Sequence, residues 1–314
     1  MRWKQMVAIA LCIASITVPV LFGMVQDKSQ ANAAAALSPE AQPYNTVTRW
    51  ERETQENKMG DDILMLNGYN ADGNMVVSIL EKDTPIITVS TYDEAGRKIE
   101  VHSYDNGKQF VHSTYTYNEQ GDQASWRYQA RTPEGVTDIK QTYEYLYEAG
   151  AISEKTTYQS GQPVAKETYT REQTEQGTIV RTITPGELSP DLTCYDADGK
   201  PLWRKKDTYR MVYYYDEQGR ETENCVIANG MQQNRTLTLY GDDGFAYRRI
   251  LYGASIDDVI SVSEIERLTE TPQIWLDFTQ KQETTVILAP EAPETEVQAA
   301  EIPEAEASAQ QETE

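Results

Sequence analysis

One stretch of the chain decides the fold: Tyr213-Tyr214-Tyr215-Asp216-Glu217-Gln218-Gly219-Arg220. Tyr213 and Tyr215 are two residues apart, so in a strand both rings point to the same face. Gly219 accepts the left-handed backbone conformation that closes a tight turn, and Asp216 can bond the backbone of its own turn. The stretch therefore predicts the end of a β-strand followed by a hairpin turn.

The same Tyr-Asp-x-x-Gly pattern recurs about every 20–25 residues, with Asn or Gly in place of Asp in some copies. Other copies begin at Tyr69, Tyr92, Tyr117, Tyr195 and Tyr240, and a shortened form is Tyr147-Glu148-Ala149-Gly150. A fixed period predicts a repeat architecture, here two strands per repeat with a turn at each end. We assign the closing of these turns to Tyr92, Asp93, Gly96, Tyr195, Asp196, Gly199, Asp216 and Gly219.

The predicted fold is all-β, an extended antiparallel meander of β-hairpin repeats over residues 59–253. Open sheets rarely exceed about ten strands without curling, so we expect a curled or coiled sheet. Residues 34–58 are predicted to be a linker and an N-terminal edge, and residues 254–288 a C-terminal cap. Within the cap, Ser255 to Leu268 reads as a short helix or a strand, and Ile274 to Leu288 as one or two strands. Residues 289–314 are rich in Pro, Glu and Ala, which predicts a disordered acidic tail.

The first 33 residues have the composition of an export leader. Arg2 and Lys4 form a positive start, an apolar run follows, and Ala31-Asn32-Ala33 supplies the small residues that signal peptidase requires. The long apolar run leaves an uncleaved membrane anchor as the alternative. In both cases we expect a bacterial protein that is secreted or exposed at the cell surface.

The formal net charge of −22 excludes two classes of partner. Nucleic acid requires a basic surface, and anionic lipid repels an acidic one, so membrane contact is expected only through an uncleaved leader. Cys194 and Cys225 could form a disulfide in an exported protein, although the expected register places their strands too far apart. The oligomeric state stays open.

The Tyr-Asp-x-x-Gly units resemble the YD repeats of RHS-type proteins over roughly residues 69–250. The stretch quoted first and Tyr92-Asp93-Glu94-Ala95-Gly96-Arg97 carry the likeness best, since a basic residue follows the Gly. The resemblance implies β-sheet strips that spiral, in large members into shells around a toxin, and in some members surface adhesion or glycan contact. This chain has too few repeats to enclose a cargo and lacks the family's Asp-Pro self-cleavage region, so the shell and toxin roles do not carry over.

No catalytic or metal site is predicted, and no cofactor. His102 and His112 flank the Asn106-Gly107 turn, where a three-residue loop would place them opposite each other. Two histidines could anchor a metal, but zinc takes about three or four ligands. Glu221 and Glu223 form a same-face acidic pair, which polar-face chemistry explains better than glycosidase catalysis.

The best functional candidate is an aromatic stripe formed by Tyr115, Tyr117, Tyr143, Tyr145, Tyr213 and Tyr215. If covered, the stripe is core; if exposed, it can stack on sugar rings or take the apolar face of a partner. We therefore expect an exported non-enzymatic scaffold that binds a glycan or a surface protein. The alternatives are an accessory or vestigial component of an RHS or polymorphic-toxin contact system and a cell-wall glycan hydrolase.

Overall fold

A computed structural model describes residues 46–58, 60–133 and 135–287 of the chain. It divides into a β unit that ends at Pro272 and a second unit that begins at Gln273. The predicted leader, residues 34–45 of the predicted linker segment and the predicted disordered tail lie outside the described residues.

The β unit contains the following strands: β1 (Arg49–Asn57), β2 (Ile63–Tyr69), β3 (Met75–Glu81), β4 (Ile86–Tyr92), β5 (Lys98–Asp105), β6 (Lys108–Tyr117), β7 (Gln123–Thr132), β8 (Gly135–Glu148), β9 (Ala151–Gln159), β10 (Gln162–Thr174), β11 (Gly177–Ile183), β12 (Asp191–Tyr195), β13 (Pro201–Lys206), β14 (Tyr209–Tyr215), β15 (Glu221–Ala228), β16 (Met231–Tyr240), β17 (Ala246–Tyr252) and β18 (Val259–Leu268). Each pairs antiparallel with the next along the chain. The all-β prediction is thereby confirmed.

The sheet closes on itself, so the prediction of an open, curled or coiled meander was wrong. β1 pairs with β2 on one side, where Trp50 faces Gly68, and with β18 on the other, where Trp50 faces Leu268. The described strands form one 18-stranded antiparallel barrel. Closure gives hydrogen-bond partners to backbone groups that an open sheet would leave at its two edges. Strand β1, which was expected to be the N-terminal edge of the sheet, is therefore hydrogen-bonded to a neighbour on both sides.

The strand reading of Ser255 to Leu268 is confirmed, whereas its helix reading and the strands expected from Ile274 were wrong. The helix considered for Ser255 to Leu268 is strand β18, whose alternating burial reflects pairing with β17 and β1. The strand expected from Ile274 is helix α1 (Gln273–Ile287), where Gln273 bonds Asp277 one turn on and the rings of Trp275 and Phe278 stack at 5.5 Å. Pro272 immediately precedes it, a position that favours helix initiation. No helix in the described ranges is both long and apolar enough to span a membrane.

The repeated turns share one hydrogen-bond pattern. The Asp93 carboxylate accepts from the backbone N–H of Ala95 (3.0 Å) and Arg97 (2.8 Å), and the N–H of Gly96 donates to the Asp93 carbonyl (2.9 Å). Gly96 has a φ of +74°, which a residue with a side chain rarely adopts. Asp216 repeats the arrangement. Asp and Gly thus close the turn, and a β-bulge follows it.

Four of the turn tyrosines, together with Tyr145, bond the repeat before them. Five hydroxyls donate to backbone carbonyls two residues beyond the preceding turn glycine: Tyr92 to Met75 (3.0 Å), Tyr117 to Lys98 (2.7 Å), Tyr145 to Gln123 (2.7 Å), Tyr215 to Pro201 (2.9 Å) and Tyr240 to Glu221 (2.8 Å). We call these the ladder tyrosines. The arginine after the glycine covers the next ring, as Arg97 does at 4.7 Å from the centre of Tyr117. The ladder fixes the register of neighbouring repeats.

The apolar core is concentrated in β1–β4, where most of the buried hydrophobic side chains lie: Trp50, Leu66, Val76, Val77, Ile79, Leu80, Ile87 and Tyr92. Consecutive residues such as Ile79 and Leu80 are both buried, so both faces of the sheet are covered there. The other described strands contain few buried hydrophobic side chains.

Cys194 and Cys225 are both free and buried. They share one row across β12–β15, through Trp203 and Val212. Strands lie about 4.8 Å apart, so three intervals exceed the reach of a disulfide.

Candidate functional site

The two faces of β8 differ in exposure. Tyr143, Tyr145 and Tyr147 alternate on one face and are half-buried, whereas Glu144 and Leu146 on the other are exposed. We call the first the tyrosine face and follow it to neighbouring strands through the pairing register. It is the face on which the predicted stripe lies.

The structure divides the predicted stripe into two kinds of tyrosine. Tyr117, Tyr145 and Tyr215 belong to the ladder, so their hydroxyls donate hydrogen bonds to backbone carbonyls. The other three bond side chains: the Tyr143 hydroxyl donates to Gln141 Oε1 (3.0 Å), Tyr213 contacts Met211 Sδ (2.8 Å), and Tyr115 bonds Ser113 and Trp126. The bonds of this second kind are to side chains, so these three tyrosines are not part of the ladder.

Four rings of the tyrosine face lie together on β6, β7 and β8, and we call Tyr115, Trp126, Tyr128 and Tyr143 the aromatic patch. Tyr115 is directly opposite Trp126, whose ring centre is 5.8 Å from that of Tyr128. Trp126 is opposite Gln141 on β8, two residues from Tyr143 on the same face. All four side chains are half-buried.

Polar groups border the aromatic patch. Lys155 Nζ lies 4.7 Å from the centre of the Tyr143 ring and 3.7 Å from the Glu167 carboxylate. The Gln141 amide lies beside the same ring. Burial raises the pKa of Tyr115 and Tyr143, so both hydroxyls stay protonated and neutral at physiological pH. Flat apolar rings are thus flanked by hydrogen-bond donors and acceptors.

Trp126 and Tyr128 were missed from the sequence, although their spacing of two residues places them on one face. The repeat motif drew attention to tyrosines next to turns, and these two residues lie in the middle of β7. Tyr213 and Tyr215, which were predicted, lie on β14, eight strands along the chain from β6. The stripe is therefore not one continuous surface.

The acidic pair Glu221 and Glu223 does not share a face. A bulge in β15 sets Glu221 opposite Tyr215 and Glu223 opposite Tyr214, which divides the two carboxylates between the faces. Glu223 is ion-paired with Arg235 at 2.6 Å. The same-face prediction was wrong, because the sequence pattern does not reveal the bulge.

Comparison with known proteins gives no family. No family model matches the sequence, and no curated protein matches it. A porin-like protein from Bacteroides uniformis aligns with 71% of this chain and 98% of its own, at 10% identity and a TM-score of 0.36. The Photorhabdus luminescens Tc holotoxin pore aligns with 66% of this chain and 15% of its own, at 13% identity and a TM-score of 0.25. A LolA superfamily protein from Nitrosomonas europaea aligns with 74% and 90%, at 10% identity and a TM-score of 0.20. All three TM-scores lie below 0.5, so we draw neither fold nor function from these likenesses.

Proposed function

We propose that this protein is an exported, non-enzymatic β scaffold that binds a glycan through the aromatic patch. The observation that carries the proposal is the grouping of Tyr115, Trp126, Tyr128 and Tyr143 on one face, half-buried and next to polar side chains. The composition of residues 1–33 supports an extracytoplasmic location. The repeat pattern's likeness to YD repeats agrees with glycan contact.

The chemistry of the aromatic patch suits a sugar. One face of a pyranose ring presents C–H groups, which stack on an aromatic ring, while its hydroxyls need hydrogen-bond partners. Binding sites of this kind combine apolar surface with a few placed polar groups. Trp126 and Tyr143 supply the platforms, and Gln141 and Lys155 supply the polar partners.

The ladder favours this function because it holds the platforms in place. Tyr145 is on the same strand as Tyr143 and bonds the Gln123 carbonyl of β7, the strand that carries Trp126. A site that is ordered before binding loses less conformational entropy on binding. The scaffold thus presents the rings at a fixed spacing.

The test is a glycan array probed with the purified protein, followed by calorimetric titration of the best-bound oligosaccharide. Trp126→Ala and Tyr143→Ala should each weaken binding by about tenfold or more, which corresponds to about 1.4 kcal/mol. The matched control is Tyr214→Ala, because Tyr214 is 50% exposed and points to the opposite face of β14. No saturable binding to any glycan, or equal losses in all three variants, contradicts the proposal.

A further inference from the structure

A second cluster lies outside the aromatic patch, on the hairpin formed by β5 and β6. Glu100 and His102 are on β5, and His112 is directly opposite His102 on β6. The loop is the two-residue turn Asn106-Gly107, and a bulge between Ser103 and Tyr104 shifts the register by one residue. Turn and bulge together place the histidines opposite each other, where the sequence suggested a three-residue loop.

Both imidazoles point at one carboxylate oxygen. Glu100 Oε1 lies 2.7 Å from His112 Nε2 and 3.0 Å from His102 Nε2. The two rings are stacked, with centres 4.5 Å apart and planes 9° from parallel. One ligand atom from each residue lies within 4.8 Å of the other two. Glu100 is the third ligand that the sequence did not reveal.

The charge balance of this cluster is incomplete. Within the described ranges, the ion-pair contacts of Glu100 are with these two histidines, and no Lys or Arg is among them. Metal ions bind imidazole through the lone pair of a ring nitrogen, so a cation held by the two rings would also face this carboxylate.

We propose that Glu100, His102 and His112 bind a divalent transition-metal ion, with Zn²⁺ as the preferred ion. Two imidazole nitrogens and one carboxylate oxygen form a recognised zinc ligand set, which leaves the fourth position for water or an external ligand. Bonds of roughly 2.0–2.2 Å require the three atoms to surround the ion. The stacked rings must therefore turn apart, since a metal ion lies in the plane of each imidazole that binds it.

The metal site is independent of the aromatic patch. His112 and Tyr115 are both on β6 but, being three residues apart, point to opposite faces. The metal would join β5 to β6 and stabilise the folded state in proportion to its occupancy. Failure of one proposal therefore leaves the other standing.

The test is calorimetric titration of the chelator-treated, full-length protein with ZnCl₂, with circular dichroism of every variant as the check of folding. We expect one saturable site, and a loss of affinity of more than about tenfold in His112→Gln and in Glu100→Gln. Two controls should bind as the wild type does: Cys194→Ser with Cys225→Ser, which removes the two buried thiols, and Glu264→Gln, which removes an exposed carboxylate.

A measurement on the wild-type protein does not depend on variants that fold. X-ray absorption of the zinc-loaded protein should show two imidazole nitrogens bound to the ion, and the chain has only two histidines. Absence of imidazole scattering, no saturable site, or wild-type affinity in folded His112→Gln overturns the proposal.

Discussion

Strands β2–β4 and strands β8–β10 are built from the same hairpin repeat, yet they bury very different amounts of apolar surface. In the first group Ile79 is 0% exposed, and both faces carry buried side chains. In the second group Leu146 is 60% exposed, and the tyrosine face is only half-buried. Turns and ladder bonds can thus hold a sheet in register where little core exists. Tyr143, the residue of the aromatic patch that lies on β8, belongs to this thinly buried group.

Truncation of a side chain should lower the free energy of unfolding far more in the first group than in the second. Ile79→Ala removes a fully buried side chain and should lower the free energy of unfolding by about 2–5 kcal/mol. Leu146→Ala, on the exposed face of β8, should change it by less than about 0.5 kcal/mol. Urea unfolding followed by circular dichroism measures both. Similar losses in the two variants would show that β8 is as tightly buried as β3.

Within the thinly buried strands, the stability cost of alanine should differ between two glycines. Gly135 and Gly177 both have a φ of +141° at the start of a strand, so alanine strains the backbone at either position. Only at Gly177 would the added Cβ overlap the backbone carbonyl of Tyr195 on β12. Gly177→Ala should therefore cost about 1–3 kcal/mol more than Gly135→Ala. Equal urea midpoints in the two variants would show that Gly177 does not lie against the Tyr195 carbonyl.

The ladder tyrosines should make the stability of the fold depend on pH in the alkaline range. Burial raises the pKa of Tyr92 to about 12, above the ordinary value of 10.0. The folded state therefore holds this proton more tightly than the unfolded state, and stability falls as the pH rises from 10 towards 12. Tyr92→Phe should cost about 1 kcal/mol at pH 7, from loss of the bond to Met75.

The difference in unfolding free energy between Tyr92→Phe and the wild type should then shrink between pH 10 and pH 12, because the variant has no proton to lose. Urea titrations at pH 8 and pH 11 measure it. A difference that stays constant with pH would mean that the Tyr92 hydroxyl is not buried in the folded state.

The sequence predicted the local features well because turn chemistry is local. Asp93 and Gly96 determine their own hairpin, and alternation reveals the strands. Closure was not predictable, because β1 meets β18 across more than 200 residues of chain, as the bond from Arg52 to Glu266 illustrates. Helix α1 was read as strand because Ile274, Trp275 and Leu276 are apolar neighbours that fit either structure.

The candidate sites depend on register, which the sequence does not display. His112 lies opposite His102 only because of the bulge after Ser103, and Glu221 and Glu223 separate only because of the bulge in β15. Which tyrosines belong to the ladder depends on the carbonyl that each hydroxyl reaches in the neighbouring repeat. For example, Tyr145 takes the ladder position and Tyr147 bonds Asp122 instead.

The central claim is that some tyrosines of the tyrosine face stabilise the fold, whereas their neighbours on the same face bind the ligand. Tyr143 and Tyr145 test it best, since they share a strand and a face but only Tyr145 bonds backbone. The decisive measurement is calorimetric titration of both variants with the oligosaccharide best bound by the wild type, alongside urea unfolding. Tyr143→Ala should lose about tenfold or more in affinity, whereas Tyr145→Phe, which keeps its ring but loses the ladder bond, should lose about 1 kcal/mol of stability and less than about threefold in affinity. Wild-type glycan affinity in Tyr143→Ala would contradict the account.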